Sequence, residues 1–174
     1  LLAPGPVALA ALGGALTVAY AFLPWRAGGR QAAGREWPGA KLPWIALTWA
    51  VLSVALPAYL VGEGAEHVWL AFLGQTAFVA GITVPFDVRD LDVDAPAMRT
   101  LPHLIGPSQA IRIALFLVAF SAAAFVSADA AAGRYLVSAA ALLVVAFGSR
   151  ARGTRYYDLL LDGLLAAQGV ALWI

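Results

Sequence analysis

The chain has 174 residues, 62% hydrophobic and only 12% charged, with a mean hydropathy of +0.82, and so little polar surface cannot cover that apolar mass in water, which excludes an ordinary soluble domain. A formal net charge of +1 gives no electrostatic footprint for a nucleic-acid partner. Cysteine is absent, which excludes disulfides and thiolate metal sites and leaves oxygen or imidazole as the only metal ligands.

A helix needs about 20 apolar residues to cross the hydrocarbon core, with every backbone polar group bonded inside it. Six runs meet or nearly meet that length: 6–23, 42–61, 67–86, 109–126, 135–148 and 156–174. The fifth is short. Pro57, near the end of the second run, is expected to kink or end that helix, because proline lacks the N–H a helix needs. With loops this short the expectation is an all-α integral membrane protein, a single transmembrane domain over 1–174 with six transmembrane helices. The chain opens on Leu1 without an initiator Met or a basic signal-peptide stretch, so a fragment or processed product is expected. The Ala-rich stretch 122–141 and Gly13, Gly14 and Gly81 read as helix-packing material.

The charges between the runs set the orientation. Arg26, Arg30, Arg35 and Lys41 lie in the first connection, Arg89 and Arg99 in the third with Arg112 just beyond, and Arg150, Arg152 and Arg155 in the fifth; these are ten of the eleven basic residues. The second connection (62–66) and the fourth (127–133) have none. By the positive-inside rule, connections one, three and five face the cytoplasm and both ends of the chain lie outside. Trp25, Trp37, Trp44, Trp69, Trp173, Tyr156 and Tyr157, near run ends, fit interfacial aromatic belts.

The third connection carries the chemistry. Asp87, Asp90, Asp92 and Asp94 place four of the ten acids within eight residues, directly after an apolar run. If the helix continues through them, Asp87, Asp90 and Asp94 share one face at i, i+3 and i+7. Like charges on one face repel, and a hard divalent cation such as Mg²⁺ relieves that repulsion by taking carboxylate and phosphate oxygens. The segment 87–106 is therefore read as a cytoplasmic Asp-rich loop forming a metal-diphosphate site; the alternative is a solvated acidic cap. Downstream, Arg99 offers a phosphate clamp or a topology signal, and His103, with no second histidine in reach, fits an interfacial role better than a ligand's.

In order and spacing, Phe86-Asp87-Val88-Arg89-Asp90, then Asp94-Ala95-Pro96-Ala97-Met98-Arg99-Thr100-Leu101-Pro102, resembles the second aspartate-rich motif of the UbiA family of intramembrane prenyltransferases, and most of all a bacterial UbiA-like subgroup. Tyr156-Tyr157 followed by Leu161-Asp162-Gly163 resembles that subgroup's last helix, and the 42–60 span after a basic linker is similar too. The resemblance implies a nine-helix bundle in which these six spans are helices four to nine. It implies a bacterial inner (plasma) membrane location and Mg²⁺-dependent transfer of a prenyl group from a prenyl diphosphate to an aromatic or lipid-soluble acceptor. Asp87, Asp90 and Asp94 would bind the metal and act as the catalytic acids, Arg99 would hold the diphosphate, and Asp162 and Tyr157 would contact substrate. The family's first motif, of Asn/Asp type, has no counterpart: the chain contains no Asn and no acid before Glu36. Half the site is missing from this chain, and the fragment alone is expected to be inactive without the missing N-terminal helices.

Within the runs, Asp158 and Asp162 are costly intramembrane acids and functional candidates by default. For Asp162 the alternative is an ion pair with Arg112, Arg152 or Arg155. Gln75 and Gln168 are read as interhelical hydrogen-bonding residues before cavity-lining ones. Two rival classes stand beside the prenyltransferase. A CDP-alcohol phosphotransferase also uses membrane aspartates, but its D-G-x-x-A-R signature is lacking, since Asp162-Gly163 continues Leu164-Leu165-Ala166-Ala167. A non-catalytic multi-pass membrane protein remains, either a degenerate family member or a transporter fragment. The sequence upstream of Leu1 separates these readings: three more spans with an Asn/Asp-rich loop would favour the enzyme.

Overall fold

The computed structural model describes residues 8, 11, 13–15, 17, 18, 24–27, 30–33, 39, 41–92, 100–130, 132–147, 153 and 155–170. Two short antiparallel strands, β1 (Pro24–Ala27) and β2 (Arg30–Ala33), pair with Pro24 opposite Ala33 and Ala27 opposite Arg30. All other regular structure among the described residues is helical, so the all-α expectation holds apart from this hairpin.

The second run is helix α1, Lys41–Val61, whose middle turn widens to a π-helix over Val51–Ala55 before α-helix resumes at Leu56. Pro57 lies just beyond that turn, and a widened turn is one way a helix re-satisfies backbone groups that a proline leaves unbonded. The helix therefore passes Pro57 and ends four residues later at Val61, capped by Gly62, whose left-handed backbone (φ 77°) lets its N–H reach back to the carbonyls of Ala58 and Tyr59. Helix α2 follows as Ala65–Arg89 and contains Pro85. A short helix α3 (Leu101–Ile105) leads into α4 (Pro107–Ser127), then α5 (Ala132–Phe147). Helix α6 opens as a π-helical segment, Tyr156–Leu161, and continues as α-helix through Asp162–Val170.

Among the described residues, three helices are long and apolar enough to cross a membrane: Lys41–Val61, Val68–Arg89 and Pro107–Ser127. At about 1.5 Å per residue each spans about 30 Å. They match the second, third and fourth expected spans. The fifth and sixth runs form shorter apolar helices, Ala132–Ala146 and Leu159–Val170, and most of the first lies outside the described residues. Helix α2 is central: 61% of its apolar window is buried, against 22% for α1 and 39% for α4. Its sequence is apolar on every side, as a helix surrounded by others must be. The outer helices turn large apolar side chains outward, among them Val61, Phe116, Leu143 and Leu159. Such faces are unfavourable in water and suit hydrocarbon.

The core joins Phe78, Ile82 and Val84 of α2 to Ala114 and Val118 of α4, Val145 of α5 and Leu161 of α6. Helices α4 and α5 also share a buried hydroxyl pair, Ser121 Oγ to Ser138 Oγ at 3.2 Å. Helices α2 and α4 approach closely at Gly81, where an added Cβ would stand 2.5 Å from Val118 Cγ2 and 3.0 Å from the Ala114 carbonyl oxygen. A backbone oxygen cannot swing aside, so Gly81→Ala should cost about 1–3 kcal/mol by overpacking. Thermal unfolding of the purified protein checks this, with Gly163→Ala, where nothing lies within 4 Å of the new methyl, as the silent control.

Candidate functional site

The last turn of α2 ends the apolar stretch and carries Asp87, and the residue that caps the helix is Asp90. Asp87 is fully buried, with an exposure of 0%. The Lys41 ammonium, at the first residue of α1, donates to Asp87 Oδ1 at 2.6 Å. Desolvating a carboxylate costs several kcal/mol, and the nearby ammonium offsets that cost. The solvated-cap alternative therefore fails for Asp87, which sits between helices and not in water.

Helix α2 stops at Arg89, and Asp90–Asp92 form a 3₁₀ turn. The expected continuous helical face is thus interrupted: Asp87 lies in the last α-turn, whereas Asp90 is the C-cap with φ −88° and ψ 5°. Asp90 is partly exposed and takes two bonds from its neighbour, Arg89 Nε to Oδ1 at 2.6 Å and Nη2 to Oδ2 at 3.0 Å. The same guanidinium stacks over two rings, 4.6 Å from the Tyr157 centroid and 5.4 Å from that of Phe86. Those rings pack together at 5.4 Å, and Tyr156 meets Tyr157 edge to face at 4.9 Å. Tyr156 in turn donates its hydroxyl to the Val144 carbonyl at 2.7 Å. Tyr157 is 1% exposed; the aromatic-belt reading is corrected for this residue, which packs against the acidic end of α2 instead of facing headgroups.

The Arg89 hydrogen bond, partly opposed by burial and helped by the charges of Arg89 and Lys41, holds the Asp90 carboxyl below its usual value. A depressed native pKa means that the pair's stabilisation is complete above the unfolded value of about 3.9 and is lost as pH falls through the lower native one. For an exposed pair the effect is at most about 1 kcal/mol. The difference in melting temperature between the wild type and Asp90→Asn should therefore be seen at neutral pH and shrink as the pH is lowered below the unfolded value.

Beyond the turn, His103 ties the returning chain down. Its Nδ1 shares a hydrogen bond with Thr100 Oγ1 at 2.8 Å, and its Nε2 lies 3.2 Å from the Leu91 carbonyl oxygen. The histidine is a brace between the 3₁₀ turn and α3. Asp94 and Arg99 lie outside the described residues. Asp162 opens the α-helical part of α6 with an exposed side chain and joins no ion pair among the described residues. Arg112, one of its expected partners, turns instead to Gln109 Oε1 at 3.5 Å, and Arg152 and the Asp158 side chain are not among those described.

Asp87, Asp90 and Tyr157 are thus brought to one end of the bundle, linked through Lys41 and Arg89. Lys41 and Arg89 were legible in the sequence only as topology charges, although Lys41 is the sole lysine of a chain with ten arginines. Among the described residues no three acidic or histidine side chains gather as a metal cage. The donor chemistry on offer is carboxylate, which suits Mg²⁺, an ion that needs only one or two protein carboxylates when phosphate oxygens complete its shell. Asp90, ionised and partly exposed, is such a donor. No family model matches this chain, and neither the curated proteins nor the solved structures compared with it provide a match.

Proposed function

We propose that this chain is the six-span C-terminal part of a UbiA-type prenyltransferase of a bacterial inner membrane, with the end that holds Asp87 and Asp90 facing the cytoplasm. The observation that carries the reading is the fully buried Asp87 beside Lys41, three residues before the ionised Asp90, at one end of an apolar helical bundle. A bundle with so little polar material keeps a buried charge at a cost, and such charges mark sites more often than scaffolding. The spacing of Asp87, Asp90 and Asp94, with Arg99 and Thr100-Leu101-Pro102 behind them, supports the same reading.

In this reading Asp87, Asp90 and Asp94 would hold Mg²⁺, with Asp87 giving up its pairing to the Lys41 ammonium. Bound Mg²⁺ would neutralise the charge growing on the diphosphate leaving group. Lys41, once released, and Arg99 would hold phosphate oxygens. Tyr157 and Asp162 would flank the prenyl end, and the family's first Asp motif would come from N-terminal helices outside this chain. The acceptor is a hydrophobic molecule drawn from the bilayer.

A second reading has one observation in its favour: Asp87 and Asp90 are each already paired with a cation. A non-catalytic multi-pass membrane protein would use the same pairs as permanent interhelical ties. The two readings part in one assay. Membranes enriched in the full-length protein should release diphosphate from a panel of prenyl diphosphates, and chelating Mg²⁺ should stop the release. No release above that of control membranes for any member of the panel would leave the non-catalytic reading standing.

A further inference from the structure

The end of the bundle opposite Asp87 holds a second arrangement of polar groups, lined from both loops there and from the helices below. An open cavity of about 500 Å³ lies between Pro57, Val61 and Val68 on one side and the 128–130 turn on the other, with Arg134 in its wall. Behind it is a smaller chamber of about 80 Å³, lined by Trp49, Ser53, Gln75, Arg134, Leu165 and Gln168. Ser53 and Arg134 border both spaces. On the other side the large cavity meets, at Val68, an apolar groove of about 260 Å³ walled by Ala55, Trp69 and Phe72.

The inner chamber holds a buried donor without a partner. Gln75 and Gln168 are each 4% exposed, and the buried Gln168 Nε2 has no hydrogen-bond partner. Neither amide bonds to a neighbouring helix among the described residues, so the interhelical role expected for them gives way to lining a cavity. Arg134 stacks on the Phe125 ring at 5.5 Å and makes no ion pair among the described residues. A guanidinium fork and a buried amide N–H facing one small space call for a compact oxygen acceptor, and the open apolar groove calls for a hydrocarbon chain. The chamber holds the volume of about two to three waters, enough for a planar carboxylate.

We propose that this end of the bundle binds a long-chain carboxylate, its head group seated between Arg134 and Gln168 and its tail running past Val68 along the groove of Trp69 and Phe72. Glu63 and Asp129 also line the outer cavity, both exposed at its rim. They repel an anion held there, so the head group must pass them and sit in the inner chamber. The site makes no use of the acidic end of α2 and stands whether or not the chain transfers prenyl groups.

The test is binding of a fluorescent eighteen-carbon carboxylate, and of its methyl ester and the matching alkyl phosphate, to the full-length protein in phosphatidylcholine nanodiscs. The carboxylate is expected to bind about tenfold or more tightly than the ester, and Arg134→Gln should weaken it by a similar factor. Gln168→Leu should weaken it several-fold. Glu63→Gln, on an exposed loop where folding is not at stake, should tighten it. Equal binding of acid and ester overturns the proposal. So does preference for the alkyl phosphate, an Arg134→Gln variant of wild-type affinity and melting temperature, or a Glu63→Gln variant that binds no more tightly than wild type.

Discussion

An Asp90→Asn variant of the full-length protein is expected to lose Mg²⁺-dependent consumption of a prenyl diphosphate by about a hundredfold or more, while inserting and folding as the wild type does. The two halves of that expectation come from different properties of one side chain. Asn has nearly the same shape but no charge, so it offers a weaker ligand to a hard cation and less compensation for the charge of a leaving diphosphate. Asp90 lies beyond the last α-turn of α2 and is partly exposed, so losing its bond to Arg89 costs no more than about 1 kcal/mol. Diphosphate release from membranes carrying equal amounts of the two proteins measures the first effect, and the melting temperature measures the second. Turnover at the wild-type rate in the variant would remove Asp90 from the site.

Lys41→Met should destabilise the bundle by about 3–5 kcal/mol, the usual cost of leaving a buried charge without its partner. The Asp87 carboxylate is fully buried, and the ammonium 2.6 Å away is its direct cationic partner. Methionine fills the space of the lysine stem and supplies no charge. The double variant Lys41→Met with Asp87→Leu should recover most of the loss, because an apolar pair needs no compensation for desolvation. Denaturant unfolding of the four proteins in a double-mutant cycle tests this. A single-variant loss below about 0.5 kcal/mol would mean that the pair is as weak as a solvated one.

Local features were readable because bilayer physics writes them into short stretches of sequence. The runs 42–61, 67–86 and 109–126 reappear as helices extended by a few residues, since Gly62, Gly106 and Pro107 bound them with backbone demands that a neighbour cannot override. The acids were legible too, because four in eight residues is a composition signal. The pairing of Asp87 with Lys41 was not: the partners lie 46 positions apart and meet only when α1 packs on α2. The π-helical turns at 51–55 and 156–161 depend on tertiary packing as well and leave no period to read. The hairpin had a visible cue in Gly28-Gly29, a pair of the kind that joins two strands, between segments too short to show a strand period. The early stop of α2, which takes Asp90 out of helical register, has Pro85 four residues upstream as its nearest sequence signal.

The stack of Arg89 on Tyr157 joins positions that are remote along the chain, one closing α2 and the other opening α6. Because the same guanidinium steadies Asp90, the acid's posture is set partly by a helix made much later than the acid itself. A nascent chain released short of that segment would carry its acidic cluster without its aromatic backstop. Maturation of this end of the molecule therefore waits on synthesis of α6, whatever the order in which the earlier helices assemble.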